Sequence, residues 1–315
     1  MMVWRRSGWW GGALFALALL SSGSFSGVAR AEGKLVRADD SADDSKAGAA
    51  PTAGEVIARI KQKTGVTLPA DTVDTIKAGD AATPVTGIAT TFTPTMAVLR
   101  KAVADGDNLI VTHEPSFYNH LDEATLFTHD PVYGEKIAYI AAHHLVLFRF
   151  HDGWHGRNPD GIAEGWIRKA GWESFRRPGD EFLFTLPKTT LGGLAQQLKT
   201  TFGARIVRVV GDPAMPVTKM ALSLGAGGEE SEIKALERDD VEVLVAGEAR
   251  EWETVEYARD ASLEGRHKAL ILLGHNTSEE SGMDNCASWL KGLFPGMRVD
   301  FIPAGEPYWL PGDKR

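Results

Sequence analysis

A single cysteine, Cys286, stands in 315 residues. No internal disulfide can form, and no paired-cysteine zinc site exists. An oxidising compartment is compatible with the chain but does nothing to hold it together. Basic residues are in deficit: 34 Lys and Arg face 42 Asp and Glu, a formal net charge of −8. Such a chain has little with which to displace phosphate counterions, which argues against nucleic acid as a partner. No apolar run reaches the length that spans a bilayer. A Gly-x-Ser-x-Gly elbow is absent, and the cluster Gly225 to Gly228 lacks both a P-loop lysine and the full dinucleotide pattern. There is no short-period repeat. The remaining composition is ordinary for a globular protein, and the length suits one large domain or two small ones.

What is present at the amino terminus is an address. Arg5 and Arg6 precede an apolar stretch from Trp9 to Leu20, and small residues lead to Ala29-Arg30-Ala31. This is the three-part layout of a secretory signal peptide cut after Ala31. Residues 1–31 are expected to be removed, leaving an exported protein, periplasmic or extracellular, with no stable membrane association. Cleavage takes away Arg5, Arg6 and Arg30 and no acid, so the negative charge deepens. The alternative is an anchor that stays in place. The paired arginines also admit twin-arginine export, although the residues around them fit that signal poorly. Residues 32–51, rich in Ala, Asp, Ser, Lys and Gly, predict a disordered linker, with order beginning at Thr52.

From Thr52 onward helices and strands alternate. Thr52 and Glu55 form a capping-box pattern for a helix with Val56, Ile57 and Ile60 inward, stopped by Gly65. Strands are expected near 84–92, 109–112 and 145–150, then near 181–186, 205–210, 220–224, 241–246, 269–273 and 299–302. Between them lie helices opened by Pro94 and by Asp130-Pro131, and one capped by Asp160 and closed by Gly171. Others follow near 191–202, from Ser231, around Trp252, and from about Ser278 to Phe294. This alternation predicts an α/β fold with largely parallel pairing. Two lobes are expected, about 52–180 and 205–315, connected by 181–204.

The chemistry concentrates at strand ends. In Asn108-Leu-Ile-Val-Thr-His-Glu-Pro115 an apolar strand stops at proline, leaving His113 and Glu114 at its tip. His151 with His155, and His275 with Glu279, follow two later strands in the same way. Parallel sheets place ligands beyond the carboxyl ends of their strands, so these six residues can meet at one crevice. Imidazole and carboxylate donors suit zinc, iron or manganese. Six donors exceed the needs of one catalytic zinc. They favour two divalent ions roughly 3.5–4 Å apart, bridged by a carboxylate and a nucleophilic water. Singly, each feature has a plainer reading. A strand-end histidine is often a surface residue. Glu279 falls in a first helical turn, where the dipole favours a carboxylate, and Thr277 with Glu280 supplies the capping box. Gly153 makes 151–155 a loop. His143 and His144 end a helix, and His120 and His129 follow Pro115 in a loop, where they either line the crevice or, the better reading, are solvated. Phe117, Tyr118 and Trp154 either stack a flat substrate or pack the rim, and Gly225 to Gly228 reads as a tight turn. Three coincident strand ends are what favour a site.

At these residues the chain resembles the NIF-three-like dinuclear metal-centre family, some members of which are named GTP cyclohydrolase I type 2 homologues. The likeness covers about residues 54–305. A Thr-His-His-Pro turn in the family is here Thr112-His-Glu-Pro115, and His-Thr-x-x-Asp after a strand is here His151-Asp-Gly-Trp-His155. The motif Gly-His-x-x-x-Glu is intact from Gly274 to Glu279, and Gly247-Glu248 falls at the family's Gly-Glu turn. Two positions depart: Glu114 replaces a histidine and His155 replaces an aspartate. The resemblance implies that these two serve one ion, so that a carboxylate and an imidazole are exchanged within one coordination shell. It also implies that His113 and His275 hold the second ion, that Glu279 bridges, and that His151 is a near ligand or an orienting group. It implies a two-lobed fold of βα units with the metal site in the crevice between lobes, and a homo-oligomer, a ring-like hexamer. The expected activity is hydrolysis of an unknown small molecule by a metal-bridged hydroxide, with Glu279 as catalytic residue. GTP suits an exported protein badly. The alternatives are a non-catalytic metal-binding or ring-forming scaffold and a mononuclear zinc hydrolase.

Overall fold

The computed structural model describes residues 50–312. The expected signal peptide, and the expected linker as far as residue 49, lie outside the described residues. Pro51, placed in that linker by its composition, is tied down: its carbonyl accepts from Val85 N at 2.9 Å.

Helix α1 (Ala53–Thr64) begins and ends on the residues that encode it. Thr52 Oγ1 accepts from Glu55 N, the Glu55 carboxylate accepts from Thr52 N, and Gly65 closes the helix at φ 69°. There follow β1 (Ile76–Ala78), β2 (Ile88–Thr91), α2 (Met96–Asp105), β3 (Leu109–Thr112) and α3 (Pro131–Ala142). Next come β4 (Val146–Arg149), the single turn α4 (Asp152–His155) and α5 (Gly161–Ala170). The second half runs β5 (Leu183–Thr190), α6 (Leu191–Phe202), β6 (Arg208–Val210), β7 (Pro216–Ser223) and α7 (Glu229–Glu237). It ends with β8 (Val243–Ala246), α8 (Glu256–Leu263), β9 (Ala269–Leu272), α9 (His275–Leu293) and β10 (Val299–Phe301).

The strands form two five-stranded sheets, ordered β1-β4-β3-β2-β10 and β5-β7-β8-β9-β6. Pairing is parallel through β10, β2, β3 and β4, and again through β7, β8 and β9. The edge strands β1, β5 and β6 run antiparallel. Every residue of β3, β4, β8 and β9 is buried, as continuous apolar runs in a doubly covered parallel sheet must be. Successive side chains alternate between faces. Leu109 and Val111 pack with α1 and α9, whereas Ile110 packs with α2 and α3. In the second sheet Val243 and Val245 meet α5 and α6, and Leu244 meets α7 and α8.

Two expectations about the lobes are corrected. Segment 181–204 is no connector: β5 and α6 belong to the second sheet and its core, with Phe184, Leu191, Leu194 and Leu198 buried there. Pro187 sits where the β5 register shifts, at a sheet edge that tolerates a missing N–H. Nor does the carboxyl-terminal part stay with the second lobe. Helix α9 leaves β9 and buries Met283, Cys286, Ala287 and Leu290 against the first sheet, where β10 pairs with β2. That helix therefore carries residues from the end of one sheet to the end of the other. Among the described residues no helix is long and apolar enough to cross a membrane.

Candidate metal centre

Three strand ends supply the donors. Strand β3 delivers His113, fully buried, and Glu114. Strand β4 leads into His151 and α4. Strand β9 leads through Gly274 into α9, whose first residue is His275. The rings of His113, His151 and His155 lie with centroids 4.6–4.9 Å apart. Glu279 Oε2 lies 3.0 Å from His275 Nε2 and 3.4 Å from His113 Nε2, while Oε1 lies 3.9 Å from His155 Nε2. Glu114 Oε1 lies 3.5 Å from His275 Nε2 and 3.7 Å from His151 Nε2. All six residues singled out in the sequence thus occupy one cluster.

The segment expected as a loop at 151–155 is one helical turn, and a residue 77 positions away explains it. Asp74 is fully buried and accepts from His151 N, Asp152 N and Gly153 N at 2.8–2.9 Å. These are the free donors of a helix start, so a distant carboxylate caps the turn and brings His151 and His155 onto one face. Burial outweighs those three bonds and raises the Asp74 pKa. Asp74→Ala is expected to cost about 2 kcal/mol, because it removes the cap and strands buried N–H groups. Urea unfolding reads this directly. An unchanged midpoint would show that the turn stands without Asp74.

Carboxylates also set the imidazoles. His155 Nδ1 lies 2.8 Å from Asp160 Oδ2, and His151 Nδ1 lies 2.9 Å from Asp152 Oδ1. Each contact leaves Nε2 facing the cluster, the arrangement that orients histidines at metal sites. Asp160 keeps its expected task as well, capping α5 through Oδ1. Arg149, fully buried at the end of β4, donates from Nε to the His113 carbonyl at 3.1 Å and from Nη1 to the His120 carbonyl. Its Nη2 donates to Glu114 Oε2 at 3.3 Å, which turns Oε1 toward the histidines.

Helix α9 starts three residues earlier than expected. Gly274, at φ 89°, is its N-cap, and no side-chain cap forms. The Thr277–Glu280 capping box is therefore not made; Glu280 Oε1 instead accepts from Gly305 N at 3.1 Å. The earlier start puts His275 and Glu279 four apart on one helical face. The glycine cluster is a close approach rather than a mere turn. A Cβ on Gly225 would lie 2.2 Å from Glu279 Oε1 and 3.1 Å from His275 Nε2, and its φ is 66°. Backbone without a side chain is what lets this loop lie against both donors.

Electrostatics follow from this crowding. Burial disfavours ionised Glu114, yet the hydrogen bond from His275 and the neighbouring imidazoles hold it at about 2. Burial likewise opposes ionised Glu279, but His113 and His275 keep it well below the carboxylate range. His155 rises to about 9: Asp160, Glu279 and Glu114 overcome its desolvation. Glu114, Glu248 and Glu279 raise His275 strongly against its own burial. His151 goes the other way, to about 4, because burial dominates.

These residues fit divalent cations. Both ring nitrogens of His113 and Oε2 of Glu279 are buried without a well-formed hydrogen bond among the described residues. Buried polar atoms are nearly always satisfied, and a shared cation would satisfy His113 Nε2 and Glu279 Oε2, which lie 3.4 Å apart. Two sets offer donor atoms within 4.8 Å of one another: His113 with His151 and His155, and His113 with Glu114 and Glu279. The sets differ from the implied pairs Glu114 with His155 and His113 with His275, although His275 stands beside both glutamates. Glu248, absent from the sequence-derived set, has Oε1 3.4 Å from His275 Nδ1. A cleft of about 620 Å³ opens beside the cluster, bounded by Glu114, His275, Glu248, Tyr118, His120 and Lys136, among others. His120 is exposed in its loop, as expected, and also borders the cleft. Trp154 and Phe117 are core residues, leaving Tyr118, 54% exposed, as the aromatic at the rim.

Fold and cluster together define a two-sheet α/β protein with histidine and carboxylate donors gathered at the carboxyl ends of parallel strands. The sequence profile of Duf34/NIF3 (NGG1p interacting factor 3) matches residues 60–306, and the chain belongs to that family. Solved structures share the fold. The Staphylococcus aureus hypothetical protein SA1388 aligns with TM-score 0.67 at 15% identity, over 83% of this chain and 99% of that one. The protein ybgI, of unknown function, aligns with TM-score 0.66 at 18% identity, over 82% and 100%. A Bacillus cereus protein related to NIF3 aligns with TM-score 0.63 at 15% identity, over 83% and 99%. No curated protein matches the sequence.

Proposed function

We propose that this protein is an exported, metal-dependent hydrolase with a dinuclear site. One observation carries the reading. The Glu279 carboxylate aims its oxygens at different histidines, Oε2 at His275 and His113 and Oε1 at His155. A carboxylate so placed suits two cations at once. In the pairing that the family resemblance implies, His113 and His275 would hold one and His155 and Glu114 the other, with His151 beside them. Bound divalent ions acidify water and polarise a carbonyl or phosphoryl oxygen, the two demands of hydrolysis. The chain's own residues do the positioning. Asp160 and Asp152 lock two imidazoles, Arg149 aims Glu114, and burial of His113 and Glu279 keeps water from competing for their donor atoms. The adjoining cleft admits a small molecule along Glu114 and His275. The amino-terminal signal pattern supports a substrate outside the cytoplasm, which GTP is not.

Elemental analysis of protein purified without chelator is expected to find about two ions per chain. Values well under one overturn the reading, and one ion supports the mononuclear alternative. Loaded protein is then assayed on ester, amide and phosphate substrates. Hydrolysis that disappears in His275→Ala supports an enzyme. A fully loaded protein inert on all three classes points to the metal-binding scaffold.

A further inference from the structure

Lys136 is a buried cation without an acidic partner. It lies on α3 with 3% of its surface exposed. Its Nζ donates to the neutral carbonyl of Ser116 at 2.6 Å. The same atom sits 5.2 Å from the Tyr118 ring centre and 5.7 Å from that of Phe117. Among the described residues no carboxylate forms an ion pair with it. Asp122 acts on it electrostatically, but its Oδ1 is taken by the amides of Ser116 and Phe117 and its Oδ2 faces Lys77 Nζ at 3.7 Å and Arg149 Nη1 at 3.8 Å. An ammonium held out of water without a counter-charge is costly unless something supplies one. Burial accordingly pushes this group down to about 8.

Its location says what could supply the charge. Lys136 lines the same 620 Å³ cleft as Glu114, His275 and Glu248. Thr95 and Met96, the N-cap and first residue of α2, line it too, adding the positive end of a helix dipole. The cleft is therefore polarised, with metal-type donors at one place and positive potential at another, in an otherwise acidic protein. We infer that the substrate carries an anionic group, a carboxylate or a phosphate, which Lys136 receives while the bond to be cut lies against His275 and Glu114. This rests on the reading of the cluster as a hydrolytic site. Tyr118 at the rim covers the ammonium, so the anion enters a place shielded from water, where a charge-assisted contact is strongest.

The test uses the mature chain as purified, titrated calorimetrically with inorganic phosphate and, separately, with acetate at fixed ionic strength. Lys136→Gln is expected to weaken binding of the preferred anion at least about tenfold, while Lys136→Arg keeps most of it. Whichever of the two anions shows the larger loss identifies the group. Metal content is measured on every sample, and the titrations are repeated after chelation. A Lys136-dependent difference in protein that never held ions faults the metal reading alone. Fully loaded protein in which Lys136→Gln binds both anions like wild type, or in which wild type binds neither, overturns this proposal alone. Should Lys136→Gln fail to fold, a phosphate or acetate soak of wild-type crystals decides. An anion within hydrogen-bond reach of Nζ supports the proposal, and one found only at the histidine cluster overturns it.

Discussion

On the proposed dinuclear reading, Glu279→Gln is expected to release both ions, whereas Glu114→Gln or His155→Ala would release one. The side chain is 2% exposed, and its oxygens face His113 and His275 on one side and His155 on the other. An amide of the same shape keeps the packing but turns one oxygen into a donor and removes the negative charge. It therefore weakens attraction for a cation on either side. Loss of even an outer contact typically costs about 10–100-fold in metal affinity, so loss of a shared carboxylate should exceed about 100-fold. Competition titration against a chromophoric chelator measures both stoichiometry and affinity. A Gln variant that still takes two ions with wild-type affinity would remove the bridging role from Glu279. Loss of both ions from Glu114→Gln would instead mean that the two positions cannot fill separately.

The parts of this site that were legible in the sequence are those encoded locally. An apolar strand followed by His113-Glu-Pro115 fixes where the side chains emerge, and the same logic reaches His151 and His275. Thr52, Asp130, Asp160, Gly65 and Gly171 mark helix ends through chemistry within a few residues. What stayed hidden is held by contacts distant in the chain. Asp74 sits in a short polar stretch with no pattern of its own, and its meaning appears only when three amides 77–79 residues later close on it. Arg149 lies inside an apolar run, where periodicity predicts a hydrophobic residue; its guanidinium is tolerated because three acceptors meet it. Strand β1 is three residues long, too short to show an alternation. The return of β10 to the first sheet depends on where α9 buries its apolar stripe, which neither segment reveals alone.

Metal should matter more to stability as pH rises. In the absence of ions, His155 is protonated up to about 9 against an ordinary value of 6.5, and His275 is raised as well. A group whose folded pKa is raised stabilises the fold fully below its unfolded pKa and loses that contribution as pH passes through the folded one. Chelated protein should thus weaken between pH 6.5 and 9, with Tm falling on the order of 5 °C. Glu114 acts in the opposite direction, since its contribution is complete above 4.5 and disappears as pH falls toward about 2. His151, depressed to about 4, favours the folded state as pH rises from 4 to 6.5 and is neutral throughout the alkaline window. On the proposed reading cations would replace the protons on His155 and His275, so binding would release protons and tighten over the same window. The Tm of manganese-loaded protein should therefore change little from pH 6.5 to 9, and the gap to chelated protein should widen. Scanning fluorimetry in matched buffers reads both curves. A gap that stays constant across that range would mean that ions and protons do not compete for these imidazoles, and that the carboxylates of the cluster are balanced by some other charge.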